Sequence, residues 1–496
     1  MPYQDLREFL AFLESKGDLR RVSAPVNPEL ELTEIAYRTL RADGPALLFE
    51  NVVGHDMPVA VNLFCAERRM NWALEVDDAD DLAARLESMI DLALGGPPQG
   101  MMNKLRALGR LAHVGAYQPR SVRNAPCQER VITGEDVDLY ALPVIKCWPE
   151  DAGPYITLPL VITKDPETGT QNYGIYRMQV FDRNTTGMHW QTHKVGARHY
   201  RASSERPNPL PMEVAVALGG DPASIWTGSA PLPPEVDEMT LAGFIRDAGV
   251  ELTPAVSVDL MVPAHAEIVL EGYVTPGEER VEGPFGDHTG YYSLAEPYPV
   301  FHVTTITRRH NPIYPTTFVG RPPTEDYWMG KVTERVFLPL IRLILPEVVD
   351  VNMPAEGIFH NLVLVSMKKE YPGHARKVMY GLWGLGLLSL TKVIVVVDDF
   401  VDVQNPSEVA WRVANNVNPG TDLVIVDGPI DDLDVASPTP RFGSKVGIDA
   451  TRKGPQEGYH REWPPDIEMS EEIRQRVTQR WEELGLDDII PPANLR

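Results

Sequence analysis

Apolar residues at the start of the chain recur with helical spacing, and this pattern predicts that an amphipathic helix opens the fold. The repeat includes Leu6, Phe9 and Leu13, follows a possible cap at Asp5, and stops at Gly17. Similar patterns predict helices at 32–40 and 79–94, the second ending in the run Gly95–Pro98, and a short strand at 46–50. We therefore expect a small N-terminal α+β domain at residues 1–122.

Between about 125 and 320 the pattern changes to short alternating runs of apolar and polar residues, separated by Pro, Gly, Asn and Asp. Regularly spaced strands with turn residues between them are typical of a barrel or a folded sheet. The predicted strands are 155–163, 173–181, 214–218, 255–260, 267–274 and 300–307. We assign this second domain to residues 123–322.

Helical spacing returns at 324–344, where Pro339 predicts a kink and Pro346 a stop. Beyond it, strand-like runs alternate with helical ones, which predicts a parallel, doubly wound sheet. The predicted strands are 361–367, 392–397 and 422–426, and the predicted helices are 374–383, 406–417 and 471–484. The expected fold is thus a multidomain α+β and α/β protein, with a connecting helix at 323–347 and a C-terminal α/β domain with a terminal helix at 348–496.

Composition narrows the choice of partners and location. The chain has 496 residues, with 46 Lys and Arg against 70 Asp and Glu, so its formal net charge is −24. This excess of negative charge disfavours nucleic acid and allows at most peripheral contact with an anionic membrane. The longest charge-free apolar stretch, 378–391, is shorter than the about 20 residues of a membrane span. Three dispersed cysteines and an acidic N-terminus predict a cytoplasmic protein without a secretory signal.

Several common motifs of enzymes do not occur in the sequence. It contains no G-x-x-x-x-G-K-[ST], no G-x-S-x-G, no H-E-x-x-H, and no G-x-G-x-x-G between a strand and a helix. The sequence therefore does not support a simple nucleoside triphosphatase, an α/β-hydrolase or a dinucleotide-binding enzyme.

The densest run of unusual residues is E-G-P-F-G-D-H-T-G-Y-Y at 282–292. Its glycines and proline predict a tight loop that brings Glu282 and Asp287 to one cavity. Repulsion between the two carboxylates would raise the pKa of one of them, which could then act as a general acid near pH 7. The alternative is an ordinary turn in which Asp287 caps backbone amides.

A second run, N-Y-G-I-Y-R-M-Q, places Arg177 among apolar neighbours. A half-buried arginine needs an anionic partner, which Glu282 or Asp287 could supply. Asn172 and Arg177 are five positions apart, so a regular strand would point them to opposite faces. They share a site only if Gly174 marks a bulge or Asn172 lies in the preceding loop. A structural salt bridge is the alternative.

A third group consists of His189, His193 and His199 together with the distant Glu238. One imidazole combined with an Asn and a carboxylate would suit Mn²⁺ or Mg²⁺, completed by phosphate oxygens and water. Taken singly, each histidine has a structural role as its alternative. Glu238 opens a helical run, where the helix dipole alone favours an acid.

Taken together, these segments resemble the UbiD family of reversible decarboxylases of aromatic and α,β-unsaturated acids, which use prenylated FMN. The resemblance extends over nearly the whole chain, through G-P-A-L-L-F-E-N at 44–51, C-W-P-E-D at 147–151, G-R-P-P at 320–323 and G-S-K at 443–445. It is greatest for the branch of 4-hydroxy-3-polyprenylbenzoate decarboxylases of quinone biosynthesis. The family fold would make 123–322 a split, flavin-reductase-like β-barrel, over which the C-terminal α/β domain closes.

The resemblance implies a catalytic trio of Arg177, Glu282 and Asp287. Loss of CO₂ from an aromatic ring leaves a carbanion that side chains alone do not delocalise, so an electron-accepting cofactor is required. Arg177 would orient the substrate carboxylate and keep Glu282 ionised. Burial and the charge of Glu282 would raise the pKa of Asp287, the implied proton donor.

The same resemblance implies two cofactors, prenylated FMN and a Mn²⁺ or Mg²⁺ ion, and it allows K⁺ as a further cation. The residues that would hold the metal against the cofactor phosphate are Asn172, His193 and Glu238. The other implied contacts of the flavin are Ile175, Tyr176, Arg177, His189, Trp190, Gln191, Lys194 and Val195.

The implied activity is non-oxidative decarboxylation of an aromatic acid, hydroxylated and polyprenylated in the quinone branch. A simpler phenolic or heteroaromatic acid is the alternative substrate. A flavin-dependent oxidoreductase on the same barrel and a non-catalytic scaffold are the alternative functions. The implied partners are the aromatic acid, a flavin prenyltransferase that supplies the cofactor, and further copies of the chain in a dimer or hexamer.

Overall fold

The computed structural model describes residues 2–94, 115–232, 236–486 and 489. The chain divides into two compact units, Met1–Thr451 and Arg452–Arg496. The larger unit carries every residue of the expected site. The domain boundaries within it stay a prediction.

The described helices of the larger unit are α1 Leu6–Ser15, α2 Glu31–Arg41, α3 Glu67–Ala73, α4 Ala79–Leu94, α5 Val195–Ser204, α6 Pro222–Thr227, α7 Glu238–Arg246, α8 Glu325–Ile344, α9 His374–Trp383, α10 Pro406–Asn416 and α11 Pro419–Asp422. The smaller unit contains α12 Glu471–Gln479. Within the described ranges, no helix is both long enough and apolar enough to cross a membrane.

The described strands are β1 Leu19–Val22, β2 Ala46–Phe49, β3 Val59–Val61, β4 Arg120–Ser121, β5 Arg130–Thr133, β6 Tyr155–Ile156, β7 Leu160–Lys164, β8 Gln171–Ile175, β9 Met178–Gln179, β10 Thr185–Gly187, β11 Met212–Leu218, β12 Glu251–Pro254, β13 Met261–Pro263, β14 Ile268–Glu282, β15 Glu296–Arg308, β16 Tyr314–Pro315, β17 Val348–Asn352, β18 Leu362–Met367, β19 Val393–Asp398, β20 Leu423–Pro429 and β21 Phe442–Asp449.

The N-terminal elements follow the sequence pattern. Helix α1 is capped by Asp5, whose Oδ1 accepts a hydrogen bond from the Glu8 amide at 2.9 Å, and its apolar face is buried. Helix α2, strand β2 and helix α4 confirm the elements predicted at 32–40, 46–50 and 79–94. The predicted stop at Gly95–Pro98 lies outside the described residues. The three cysteines are buried and form no disulfide.

A seven-stranded sheet forms the middle of the chain, with the order β10-β15-β14-β11-β7-β8 and with β5 paired to β15. Its longest pair is the antiparallel hairpin of β14 and β15, whose register runs from Ile268 opposite Arg308 to Glu282 opposite Glu296. The hairpin loop therefore begins directly after Glu282 and contains Asp287. The split-barrel description stays a prediction.

The strand predicted at 255–260 is wrong. Strands β12 and β13 pair in antiparallel register on either side of this segment, which forms the turn between them. The buried carboxylate of Glu271 accepts hydrogen bonds from the amides of Val256 at 3.0 Å and Ser257 at 2.6 Å. These bonds satisfy backbone groups that a strand would have paired with a neighbour.

The C-terminal sheet has the order β17-β18-β19-β21-β20. Strands β18, β19 and β21 are parallel, but β17 and β20 are antiparallel to their neighbours, so the prediction of a fully parallel sheet is wrong at both edges. Strand β20 reaches β21 through a loop rather than a helical crossover, and such a direct connection joins antiparallel neighbours. Alternate residues of the central strands face opposite sides: Val363 and Val365 pack with α9, and Leu364 packs in the cluster that contains Val409 of α10.

Helix α8 continues through Pro339 as one element of 20 residues and ends before Pro346, as predicted, whereas the kink at Pro339 stays a prediction. The end of the terminal helix differs from its prediction. Helix α12 ends at Gln479, earlier than the predicted 484, because the chain tightens there into turns. The amide of Trp481 donates to the carbonyl of Thr478 at 3.2 Å, an i to i−3 bond in place of the α-helical one.

Candidate functional site

Arg177 lies in a break between two strands of the middle segment. Strand β8 ends at Ile175, and β9 begins at Met178. A Cβ atom at Gly174 would collide with the ring of Tyr176, which folds back over the backbone there. The alternation that predicted Arg177 opposite to Asn172 therefore stops before Arg177, and the arginine turns toward the hairpin loop.

The structure brings the three predicted catalytic residues together. Nε of Arg177 donates to Oε1 of Glu282 at 3.0 Å, and Nη1 donates to Oδ2 of Asp287. Nη2 of the same guanidinium donates to Oγ of Ser293 at 3.0 Å. The side chains are almost inaccessible, with exposed fractions of 9% for Arg177, 0% for Glu282 and 10% for Asp287. The ring of Phe285 covers the guanidinium, and the centroid of the ring lies 4.7 Å from Cζ of Arg177.

The loop that carries Asp287 is fixed by its own backbone and by one distant acid. Gly283, directly after β14, has a φ of 94°, which favours glycine. Oδ1 of Asp151 accepts a hydrogen bond from the amide of Gly286 at 2.7 Å. The amide of Asp287 donates to the carbonyl of Tyr291 at 3.0 Å. The acid of the C-W-P-E-D run thus positions the loop.

Arg177 determines the charge of both carboxylates. Burial by itself would raise the pKa of Glu282 and of Asp287, but the adjacent guanidinium outweighs it, so the pKa of each is lowered. The predicted rise in the pKa of Asp287 is wrong. The prediction considered repulsion between two acids, whereas the structure places a cation between them. Both acids are ionised at neutral pH.

A histidine accompanies each of these acids. Nδ1 of His189 lies 2.6 Å from Oε2 of Glu282, and Nδ1 of His288 lies 2.8 Å from Oδ1 of Asp287. Burial would lower the pKa of His288, but its hydrogen bond to Asp287 and the charges of Asp287, Asp431 and Asp326 raise that pKa to about 9. At neutral pH this pair therefore carries its proton on the imidazole.

Two residues of the C-terminal segment approach the same loop. Nε2 of His360 lies 3.0 Å from Oδ2 of Asp431, and the rings of His288 and His360 are 6.1 Å apart between centroids. Sequence reasoning missed both residues because neither belongs to a motif: His360 lies about 70 positions after the loop, and Asp431 lies about 70 positions after His360. Ser293 lies one residue beyond the quoted motif, so a longer motif window would have included it.

Asn172 and Glu238 form a second buried group. Asn172 belongs to β8, and Glu238 is the first residue of α7, where Asp237 caps the helix by accepting from the Met239 amide at 2.7 Å. With its amide nitrogen toward Glu238, Asn172 donates to Oε1 at 3.1 Å. Burial raises the pKa of Glu238 to about 8. A carboxylate in such surroundings would be stabilised by a cation.

The residues expected to line the flavin lie mainly around the start of α5. The indole Nε1 of buried Trp190 has no hydrogen-bond partner among the described residues. A Cβ at Gly196 would lie 2.7 Å from that nitrogen, and the amide of Gly196 donates to the hydroxyl of Tyr176 at 3.4 Å. The other expected contacts, Ile175, Gln191, Lys194 and Val195, end β8 or lie at the N-terminus of α5.

These observations fit a flavin phosphate held by a hard cation. The amide of Asn172 and the carboxylate of Glu238 offer oxygen ligands, which Mn²⁺ and Mg²⁺ prefer. The buried indole N–H of Trp190 has no acceptor among the described residues, and a flavin oxygen or nitrogen could supply one. His193 is exposed and, within the described part of the chain, hydrogen-bonds to neither Asn172 nor Glu238. Its role as a ligand stays a prediction.

Models of three protein domains match most of the chain. They describe the N-terminal domain of UbiD 3-octaprenyl-4-hydroxybenzoate carboxy-lyase at residues 10–89, its Rift-related domain at 120–322, and its C-terminal domain at 327–450. An uncharacterized protein of Archaeoglobus fulgidus is 52% identical over 485 residues, which cover 98% of this chain and 99% of that protein.

Solved structures share the fold over 93–99% of this chain. The vanillic acid decarboxylase of Sedimentibacter hydroxybenzoicus in its closed form has a TM-score of 0.83 and 29% identity, covering 99% of this chain and 100% of that one. The UbiD-class enzyme HmfF from Pelotomaculum thermopropionicum in complex with FMN has a TM-score of 0.76 and 32% identity, covering 93% and 97%. An evolved dimeric form of HmfF with prFMN has a TM-score of 0.74, 30% identity and the same coverage. The mixed α/β multidomain fold therefore matches UbiD-class structures.

Proposed function

Because this chain belongs to the UbiD family of carboxy-lyases, we propose that it catalyses reversible, non-oxidative decarboxylation of a hydroxylated aromatic carboxylic acid. The observation that carries this proposal is the buried guanidinium of Arg177 between the carboxylates of Glu282 and Asp287. Prenylated FMN is the proposed cofactor, since HmfF is solved with FMN and with prFMN. Membership of a carboxy-lyase family removes support from the oxidoreductase and scaffold hypotheses.

The roles of the trio follow from its charges. Prenylated FMN, when bound, supplies an acceptor for the electron pair that departing CO₂ leaves behind. Arg177 would orient the substrate carboxylate and keep Glu282 ionised. Asp287 would transfer the proton at its carboxylate oxygen, to the ring carbon in decarboxylation and from it in carboxylation. In the absence of substrate the lowered pKa of Asp287 suits carboxylation, because an ionised carboxylate can accept the proton that the ring carbon loses.

We propose two candidate substrates, which experiment can distinguish. A polyprenylated hydroxybenzoate of quinone biosynthesis would follow from the expected branch of the family. A simpler phenolic acid is the second candidate, and the similarity to the vanillic acid decarboxylase of Sedimentibacter hydroxybenzoicus favours it. Both require a ring beside the flavin and a carboxylate near Arg177.

The direct test is to co-express the chain with a flavin prenyltransferase and to measure CO₂ release from a panel of aromatic acids. We expect a modified-flavin absorbance, CO₂ release, and incorporation of solvent deuterium into the aromatic product. The chain loaded with plain FMN is the control and should release no CO₂. Nicotinamide oxidation without CO₂ release from any acid would contradict the proposal.

We also propose that the chain forms a dimer or hexamer. Size-exclusion chromatography with light scattering on the same sample tests this oligomeric state.

We expect Glu238→Gln to abolish Mn²⁺-dependent retention of flavin. In the metal-free chain the raised pKa of Glu238 means that stability falls as pH rises from its ordinary 4.5 toward about 8, since the folded state retains a proton that the unfolded state has lost. Mn²⁺ would replace that proton, whereas the neutral amide has no charge to offer it. Metal analysis and thermal unfolding with FMN, with and without Mn²⁺, measure the effect.

The matched control for this variant is Asp237→Asn. Asp237 is the neighbouring acid, but it acts as the cap of α7, and asparagine preserves the acceptor oxygen of that cap. We expect this control to keep its Mn²⁺ response. Equal manganese content in Glu238→Gln and in the parent chain would contradict the assignment of Glu238.

A further inference from the structure

Four side chains form a continuous acid–imidazole series that extends from the catalytic loop into the C-terminal segment. Asp287 and His288 are joined by a 2.8 Å contact between Oδ1 and Nδ1, and His360 and Asp431 by a 3.0 Å contact between Nε2 and Oδ2. Potential donor and acceptor atoms of His288, His360 and Asp431 all lie within 4.8 Å of one another. The exposed fractions of these four side chains are 17% or less.

The proposed decarboxylation requires a proton that the ionised Asp287 does not carry. Replacement of CO₂ by hydrogen on the ring consumes one proton in each turnover. Asp287 is ionised at rest because Arg177 and His288 lower its pKa. The proton must therefore reach Asp287 from another group, and the ring of His288 is in contact with the carboxylate.

We propose that His288 stores the proton that Asp287 delivers, and that the His360–Asp431 pair returns a proton to His288 after each turnover. This proposal rests on the proposed decarboxylase function. His288 is a positioning and proton-supplying residue in this scheme, because it acts through Asp287 rather than on the substrate.

Substrate binding provides the reason for the first transfer. An anionic carboxylate at Arg177 adds negative charge beside Asp287 and competes for the same guanidinium, which favours the protonated form of Asp287. The Nδ1–H bond of His288 breaks and an Oδ1–H bond forms on Asp287, so the imidazolium becomes neutral and the carboxylate becomes a carboxylic acid. Asp287 then gives this proton to the ring carbon and returns to its ionised state.

The second transfer restores the imidazolium at Nδ1, the nitrogen that gave up its proton. An N–H bond of His360 breaks, one water carries the proton to Nδ1 of His288, and solvent water replaces the proton on His360. Ligand atoms of His288, His360 and Asp431 lie within 4.8 Å of one another, which is within the reach of transfer through one water. The charged groups that face this series are Arg177 beside Asp287, Asp326 beside His288, and Lys194 beside Asp431. The acids favour an imidazolium on His288, and the two cations lie beside the terminal acids of the series.

A divalent cation bound by His288, His360 and Asp431 is the alternative, since all three side chains offer ligand atoms. The 2.8 Å contact of His288 is with Asp287, the implied proton donor, which is not one of these three residues, and this contact favours proton storage. Metal analysis of the purified holoenzyme decides between them. A metal that disappears in His360→Gln but persists in Glu238→Gln would overturn the proposal.

The first experiment is an NMR titration of the histidine rings in the chain without cofactor, with His288 assigned by comparison with His288→Gln. We expect His288 to remain an imidazolium well above pH 6.5, the ordinary histidine value, and to titrate near pH 9. In Asp287→Asn this midpoint should move down. A His288 that titrates near pH 6.5 in the parent chain would overturn the proposal.

The second experiment uses the enzyme loaded with prenylated FMN. We expect His288→Gln to lower kcat about 100-fold with little change in KM, and imidazole in the buffer to restore part of the lost rate. We expect His360→Gln to lower kcat less and to make the rate depend on buffer concentration. His302→Gln is the matched control, because His302 pairs with Glu278 at 2.9 Å on the same sheet but outside the site. An unchanged kcat in His288→Gln would overturn the proposal.

The two experiments separate two kinds of failure. If no aromatic acid is decarboxylated but His288 titrates as expected, the proposed function fails, and the proton supply fails with it even though His288 holds a proton. If decarboxylation proceeds and His288→Gln is as active as the parent, only the proton supply through His288 is wrong.

Discussion

We expect Arg177→Ala to abolish turnover and to lower the free energy of unfolding by about 3–5 kcal/mol, the usual cost of removing one partner from a buried ion pair. The variant leaves the carboxylates of Glu282 and Asp287 buried without the cation that keeps them ionised. One of them should then take up a proton, so the loss of stability should be greater at high pH than at low pH. Denaturant unfolding at several pH values measures this effect, and CO₂ release measures turnover.

Arg280→Ala is the control for that variant. Arg280 also belongs to the hairpin sheet and pairs with Asp182 at 3.1 Å, but both side chains are about half exposed. An exposed pair contributes only about 0–1 kcal/mol. We expect this variant to fold and to turn over like the parent. If the two arginine variants lost the same stability, Arg177 would not be the charge that stabilises the buried acids.

The second large effect is expected for Asp287→Asn, which should lower kcat by about 10²–10⁴-fold, the range of general acid–base catalysis. The amide has the size of the carboxyl group and still accepts from Arg177, so the fold and flavin binding should persist. Because the pKa of Asp287 is lowered, its ion pair contributes stability above its ordinary value of 3.8 and loses that contribution as pH falls below it. The variant should therefore be less stable than the parent at pH 7 and nearly equal to it in acid.

Rate measurements on holoenzyme, with flavin content determined by absorbance, check this expectation. Asp182→Asn is the matched control, because it removes a carboxylate that lies just before β10, half exposed and outside the site. A normal kcat in Asp287→Asn at full flavin content would exclude Asp287 as the proton carrier. It would also remove the basis for proton supply through His288.

Local pattern predicted most elements of the fold. Helices α1, α2 and α4 follow from apolar spacing and from a cap such as Asp5, because a helix of this kind depends on residues within two or three turns of one another. The segment 255–260 was predicted wrongly, because its alternating residues pair with the carboxylate of Glu271 rather than with another strand. The direction of β20 was also wrong, since strand direction depends on the path of the loop that follows it.

For the candidate site, too, the sequence predicted one part correctly and another part wrongly. The motifs at 172–179 and 282–292 identified Arg177, Glu282 and Asp287, which the structure brings into contact. The protonation of the acids did not follow from those motifs. It depends on the guanidinium lying between them, and that position requires the break in the strand after Ile175.

The amino-acid sequence alone determined which chemical groups this protein has and which family it resembles, because motif residues and helical or strand periodicity are local properties of the chain. Only the tertiary structure decided where the protons lie, because the pKa of a buried group depends on the charges packed around it. Asp287 is ionised and His288 is protonated because Arg177, Asp326 and Asp431, from three separate parts of the chain, converge on one loop.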